Sequence, residues 1–392
     1  MKICFLEVQP FHYNIGGGTT HLIDLSKYFI KKGHDVSVIT SKPGDNQKPL
    51  EVYKGFKVYN VGIPHKIFRK SGFFETAYKI FYRFLWEISW VFAARKKLKE
   101  INPDICNPQS LITTALPCVL AGCPYIAVLH GIHLKGFRKL WGERKSRIAL
   151  VLSKIYEAME NFNGKRANAI VCDGQEQFDY YKKFGKNKCS IITLGIDPEN
   201  ISKVNLKKKK NYLFMSRLTE QKGVSYLINA LEILDKKGVK IEIDIAGDGE
   251  PNYVNPLKER ASKFKNVKAN FLGFVIGRKK FDLYAKSKVF ISSSIFEPFG
   301  LVLVEAMASG CAIIASDTEG GKLLIKDKFG KVVKFINETA GNKAKNLAKI
   351  IEESLKWDIK KMGKFALEES KKHSYDRVAD DYIALFKEHI RQ

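Results

Sequence analysis

"SSSIFEPFGLVLVEAMASG", residues 292–310, closes a β-branched run, turns through Pro-Phe-Gly and opens an apolar helix, and it places Glu297 and Glu305 eight positions apart. Pro298 and Gly300 at such a junction leave the first amides of the helix unpaired at the positive end of its dipole, which is an anion site. Two carboxylates beside it are poor phosphate ligands, because like charges repel. They suit hydroxyl groups, Glu305 those of a ribose and Glu297 those of a sugar. The strand, the turn and the helix carry the specificity, since the spacing alone recurs by chance.

Outward from this stretch the same strand-then-helix rhythm runs through the whole chain, and it predicts parallel sheets with helices on both faces. In the first half strands are expected at 2–7, 35–40, 56–61, 104–107, 125–129, 168–172 and 189–193. The helix over 17–32 carries Leu22, Leu25, Tyr28 and Phe29 on one face and stops at Gly33. In the second half "NYLFMS", "KIEIDIAG", "VKANFLG", "KVFISSS", "CAIIAS" and "GKVVKF" are strands separated by helices. The lysine-rich, aperiodic "DPENISKVNLKKKK" reads as a linker. The fold class is therefore α/β, two Rossmann-like doubly wound domains facing a central cleft, where such sheets bind ligands at their carboxyl ends. Domain 1–196, linker 197–210, domain 211–373 and a capped C-terminal helix 374–392 crossing back to the first domain complete the expected organisation.

A chain of 392 residues with 45% hydrophobic and 28% charged side chains is long enough for two such cores and too apolar to be disordered. The amino terminus reads as a first strand and not a signal peptide, and no segment suits a membrane span. Seven cysteines without a CxxC pair read as buried small hydrophobes in a reducing, cytoplasmic compartment. The net charge of +26 is spread evenly: 30 basic against 17 acidic side chains in residues 1–200, and 37 against 24 in 201–392. That spread favours a lysine-rich background over a nucleic-acid-binding module, so no nucleic acid is expected. Residues 64–100 stand apart, with nine Lys or Arg, three Glu and ten aromatics. They and 133–147 suit either a helix lying on an anionic membrane surface or one packing its rings on its own sheet.

Two further segments belong at strand ends. "NIGGGTTHLIDL" opens a helix with glycines that let backbone amides approach an anion; it is not GxGxxG, and no acid follows the second strand in the place that would hold a ribose, so a dinucleotide site is not expected. "FMSRLTEQKG" offers Arg217 as a planar fork and Lys222 as a point charge, a pair suited to a diphosphate. No DxD motif is present and no metal or cofactor is expected.

Together these segments resemble the retaining, two-domain GT-B glycosyltransferases of family 4. "GGGTTHLIDLSKYFIKKGHDVSVIT" resembles the family's glycine pair and GHxV segment, "SRLTEQKGVSYLINAL" its RLxxxKG motif, and "EPFGLVLVEAMASGCAIIAS" its Glu-x7-Glu signature. The resemblance implies that Gly16 and Gly17 approach the donor phosphates, that Arg217 and Lys222 bind the diphosphate, and that the amides of Phe299, Gly300 and Leu301 lie near phosphates and sugar. It implies further that Glu305 holds the ribose, Glu297 the transferred sugar, and that His130 in "AVLHGIH" faces that sugar. Ser216 stands where the family usually has glycine, Leu194 where it often has asparagine, and no glutamate follows Gly320 and Gly321 at the usual place.

The expected activity is hexosyl transfer from a nucleotide-diphosphate sugar such as a UDP- or GDP-sugar, with retention, to a membrane-linked lipid or glycan. Arg217, Lys222 and the helix amides would neutralise the leaving group without a metal, at a cytoplasmic membrane face. A sugar-nucleotide epimerase sharing the same donor site, and a basic nucleic-acid-binding protein, are the alternative classes.

Overall fold

The computed structural model describes residues 1–9, 17–42, 44, 48–64, 73–132, 147–201, 205–206 and 210–390, with backbone alone at 73–81 and 147–150. Gly16, residues 65–72 of the first basic segment and 133–146 of the second lie outside the described residues. The chain forms two compact units, Met1–Thr193 with Tyr375–Gln392, and Leu194–Ser374.

The first unit runs β1 (Lys2–Leu6), α1 (Gly17–Lys31), β2 (Asp35–Ser41), β3 (Leu50–Tyr53), β4 (Phe56–Val61), α2 (Phe73–Ile101), β5 (Ile105–Pro108), α3 (Leu116–Ala121), β6 (Ile126–Leu129), α4 (Arg147–Arg166), β7 (Ala169–Cys172), α5 (Gln175–Tyr181) and β8 (Cys189–Ile191). Its strands lie in the order β3-β4-β2-β1-β5 and β6-β7-β8, and a parallel bridge between Cys106 and Tyr125 joins the two runs. Strand β3 is not among the expected strands. It is a short, half-exposed edge strand, antiparallel to β4, and the connecting Lys54 and Gly55 both have positive φ, 48° and 94°.

The two-residue period of β1 divides the core. Ile3 and Phe5 face Leu22, Leu25 and Phe29 of α1, whereas Cys4 and Leu6 face Trp90, Ala94 and Leu98 of α2. The C-terminal helix, Tyr375–His389, belongs to this unit: Tyr382 and Phe386 join the α1 side of the core, and Lys32 bridges Asp376 and Asp380 at 3.0 and 2.9 Å. Trp86 and Trp90 of α2 are buried, and Trp90 packs on the unit's own sheet with Cys4, Leu6 and Ile39. Its outer side still carries an apolar stripe, with Leu85, Ile88 and Phe92 exposed by 43%, 37% and 59%. Among the described residues no helix is long and apolar enough to cross a membrane.

The second unit runs β9 (Tyr212–Met215), α6 (Val224–Lys236), β10 (Ile241–Ala246), α7 (Pro251–Ser262), β11 (Val267–Gly273), α8 (Arg278–Lys286), β12 (Val289–Ser292), α9 (Leu301–Ala308), β13 (Ala312–Ser316), α10 (Glu319–Leu324), β14 (Gly330–Val333), α11 (Ala340–Glu353) and α12 (Ile359–Ser370). All six strands are parallel, in the order β11-β10-β9-β12-β13-β14. The chain winds one way from β9 and then the other, so the strand order reverses between β9 and β12, and loops at that point open a crevice. The unit begins before the expected linker. Leu194, Ile196 and Asp197 are buried, the Ile196 amide donates to the His373 carbonyl at 2.7 Å, and Asp197 caps the short turn Pro198–Asn200.

Candidate active site

Loops following β9 and β12 meet at the reversal point. The loop from Ser216 to Gly223 is drawn down by buried Leu218, whose amide donates to the Asp248 carbonyl at 2.8 Å. At its end Gly223 has φ 70°, and a Cβ there would lie 1.8 Å from the Ser293 carbonyl oxygen. No other residue allows β9 and β12 to approach so closely, and the Ser293 hydroxyl completes the join by donating to the Gly223 carbonyl at 2.8 Å. This seating aims Lys222 at the other loop. Its Nζ lies 2.6 Å from Glu297 Oε2, with 18% and 13% of the two side chains exposed. Arg217, earlier in the loop, is exposed.

Glu297 is held from behind. The Gly320 amide donates to its carbonyl at 2.9 Å, and Phe299 is buried beneath the turn. Gly300, φ 90°, caps α9, and its carbonyl accepts from Leu303 at 2.8 Å, so the amides of Phe299, Gly300 and Leu301 stand at the open end of the helix. Glu305 lies one turn inside α9 and is buried. Its Oε1 accepts from Lys280 Nζ at 2.5 Å and its Oε2 from the Tyr284 hydroxyl at 3.0 Å. Burial, with the Glu305 charge added, pushes the Tyr284 hydroxyl well above its usual range, so it remains a donor.

The second unit therefore gathers Arg217, Lys222, Glu297, Phe299, Gly300, Leu301 and Glu305 around the ends of two neighbouring strands. It also gives each acid a lysine, an arrangement not foreseen from the segments taken singly. Lys280 and Tyr284 were missed; their i, i+4 spacing on α8 is the available signal, and it is common on any helix.

In the first unit His130 follows β6 and is half-buried. Its Nε2 lies 2.9 Å from Gln109 Oε1, and Gln109 Nε2 reaches Asn107 Oδ1 at 2.9 Å. A Cβ on Gly18 would come within 3.2 Å of the His130 ring, so the glycine run after β1 brings the start of α1 against this histidine. Gly17 is the first residue of α1. Buried His21 of α1 stands edge-on to His130, ring centroids 5.7 Å apart, and bonds Tyr375 of the C-terminal helix through Nδ1 at 3.3 Å. Desolvation holds His21 well below the usual imidazole range, so it stays neutral.

The comparisons agree with this architecture. The family described as Glycosyltransferase Family 4 matches residues 15–200, and the one described as Glycosyl transferases group 1 matches 197–367. The chain is similar to an uncharacterized glycosyltransferase of Methanocaldococcus jannaschii, 26% identical over 85% of this chain and 84% of that protein. It is likewise similar to a phosphatidyl-myo-inositol mannosyltransferase of Mycolicibacterium smegmatis, 25% identical over 94% and 89%. Its fold matches that of Anabaena HepE solved in complex with UDP and glucose, with a TM-score of 0.71 at 20% identity, over 99% of this chain and 100% of that one. The two family matches between them span residues 15–367, each on one strand-and-helix unit, and the chain belongs to the GT-B glycosyltransferases of family 4.

Proposed function

We propose that this chain transfers a hexose, with retention, from a nucleotide-diphosphate sugar such as a UDP- or GDP-sugar to a membrane-linked lipid or glycan. The observation that carries the reading is the pairing of a diphosphate-seeking lysine with a hydroxyl-seeking acid, Lys222 with Glu297, at the reversal point of the second sheet. In this reading Arg217, Lys222 and the amides of Phe299, Gly300 and Leu301 neutralise the departing diphosphate, and no metal is required. Gly16 and Gly17 lie near the phosphates, Glu305 takes the ribose hydroxyls, Glu297 the sugar, and His130 faces that sugar. The departing phosphate accepts the proton of the acceptor hydroxyl, so that bond making and breaking occur on one face. HepE, which holds UDP and glucose, supports a nucleotide-sugar donor, and the mycobacterial relative, named for phosphatidyl-myo-inositol, supports a lipid acceptor.

The stripe of Leu85, Ile88 and Phe92, continued by exposed Lys96 and Lys99 on α2, suits peripheral contact with an anionic bilayer. Two measurements test the reading. Radiolabelled UDP- and GDP-sugars incubated with the protein and a lipid extract should yield labelled lipid; interconversion of the donor alone would assign the chain to the epimerases instead. The protein should sediment with phosphatidylglycerol vesicles at low salt, and Leu85→Glu with Phe92→Glu should abolish this without lowering Tm. Failure of the wild type to sediment would overturn the membrane-linked acceptor.

A further inference from the structure

His130 stands at the end of a chain of amides whose polarity can be deduced. Asn107 lies on β5 and Ile126 on the neighbouring β6; Gln109 and His130 follow the ends of the same two strands. At the inner end, Asn107 Nδ2 lies 2.8 Å from the Ile126 carbonyl oxygen. A backbone carbonyl can only accept, so Asn107 presents its NH2 there and its Oδ1 outward. Gln109 meets that Oδ1 at 2.9 Å and the Asn107 carbonyl at 3.2 Å. Both are acceptors, so Gln109 turns its own NH2 inward and its Oε1 towards His130 Nε2, 2.9 Å away. The remaining contact closes only if Nε2 carries the proton. Asn107 and Gln109 are buried, at 0% and 4% exposure, so a reversed amide would set acceptor against acceptor with no water to relieve it.

We propose that Gln109, oriented by Asn107, is a positioning residue that holds His130 in the Nε2–H tautomer. In the neutral ring Nδ1 then bears the lone pair, and His130 meets a hydroxyl as an acceptor and not as a donor. On the reading that His130 faces the transferred sugar, a sugar hydroxyl that meets the ring at Nδ1 must donate to it. The neighbouring ring does not oppose this, because His21 is buried and uncharged.

Long-range proton–nitrogen correlation spectra of the full chain with labelled histidine report the tautomer directly, the His130 signals being assigned by their loss in His130→Asn. The wild type should show Nε2 protonated, favoured roughly tenfold or more over the other form. Gln109→Leu and Asn107→Leu should each populate the Nδ1–H form to at least a tenth. Gln109→Leu should also lower kcat for transfer about tenfold while leaving the Kd for UDP unchanged. A wild type found as Nδ1–H, or a Gln109→Leu spectrum identical to wild type, overturns the proposal. Absence of transfer in every protein, with the tautomer pattern as described, would instead overturn the transferase reading and leave the relay standing.

Discussion

Replacing Glu297 by glutamine tests the pairing on which the donor site depends. The substitution keeps the shape of the side chain and removes the charge that lies 2.6 Å from Lys222 Nζ. A charge-assisted bond of this length in a site less than one-fifth exposed contributes about 1.5–3 kcal/mol net. An arriving diphosphate must share Lys222 with that carboxylate and also meets its negative charge. Freeing Lys222 should therefore strengthen UDP or GDP binding by about 1.5 kcal/mol, roughly tenfold, with the upper part of the range lost to hydrogen bonding by the new amide. Transfer should move the opposite way, falling about a hundredfold, because a neutral amide holds the sugar hydroxyls more weakly as charge develops. Titration calorimetry with UDP and GDP, beside initial rates of transfer, separates the two effects. The Lys222→Met variant should lose affinity, and in the double variant the gain from Glu297→Gln should vanish, giving a coupling energy of the same size. Unchanged or weaker diphosphate binding in Glu297→Gln would refute the competition, and an unchanged rate would refute the assignment of Glu297 to the sugar.

Two stability measurements follow from the framework around the sites. Gly223→Ala forces a Cβ to 1.8 Å from the Ser293 carbonyl at φ 70°, so the loop must separate from β12; a loss of about 3 kcal/mol or more is expected in urea denaturation, with weakened nucleotide binding. Glu7, directly after β1, is pushed by desolvation to about 7, against the amides of Gln9 and Val8 that lower it. Its folded form holds the proton more tightly than the unfolded chain, so the stability it contributes is full below pH 4.5 and is lost as pH rises to about 7, on the order of 3 kcal/mol in all. Glu7→Gln should remove that slope and raise stability at pH 8 relative to wild type; a variant with the wild-type slope would show that another group titrates.

Most of the strands and helices of both units were legible because their signals are local: a short apolar run in β1, glycine at Gly33, a Pro-Phe-Gly turn before α9. Strand β3 was not, because an edge strand of four half-exposed residues has no apolar run to mark it. The start of the second unit at Leu194 was likewise hidden, since only packing tells a buried polar turn from a linker. The candidate residues Arg217, Lys222, Glu297 and Glu305 were found by residue type at strand ends.

Their partners were not. Lys222 and Glu297 are 75 residues apart, His130 and Gln109 21, and His21 and Tyr375 354. By itself the order of residues determines which backbone is strand, which is helix and which side chains stand at carboxyl ends, because those follow from covalent geometry repeated over a few positions. Which acid faces which lysine, and which nitrogen of His130 carries the proton, was decided only when close-packed sheets carried distant segments together, since a hydrogen bond or ion pair depends on tenths of an ångström that no local pattern encodes.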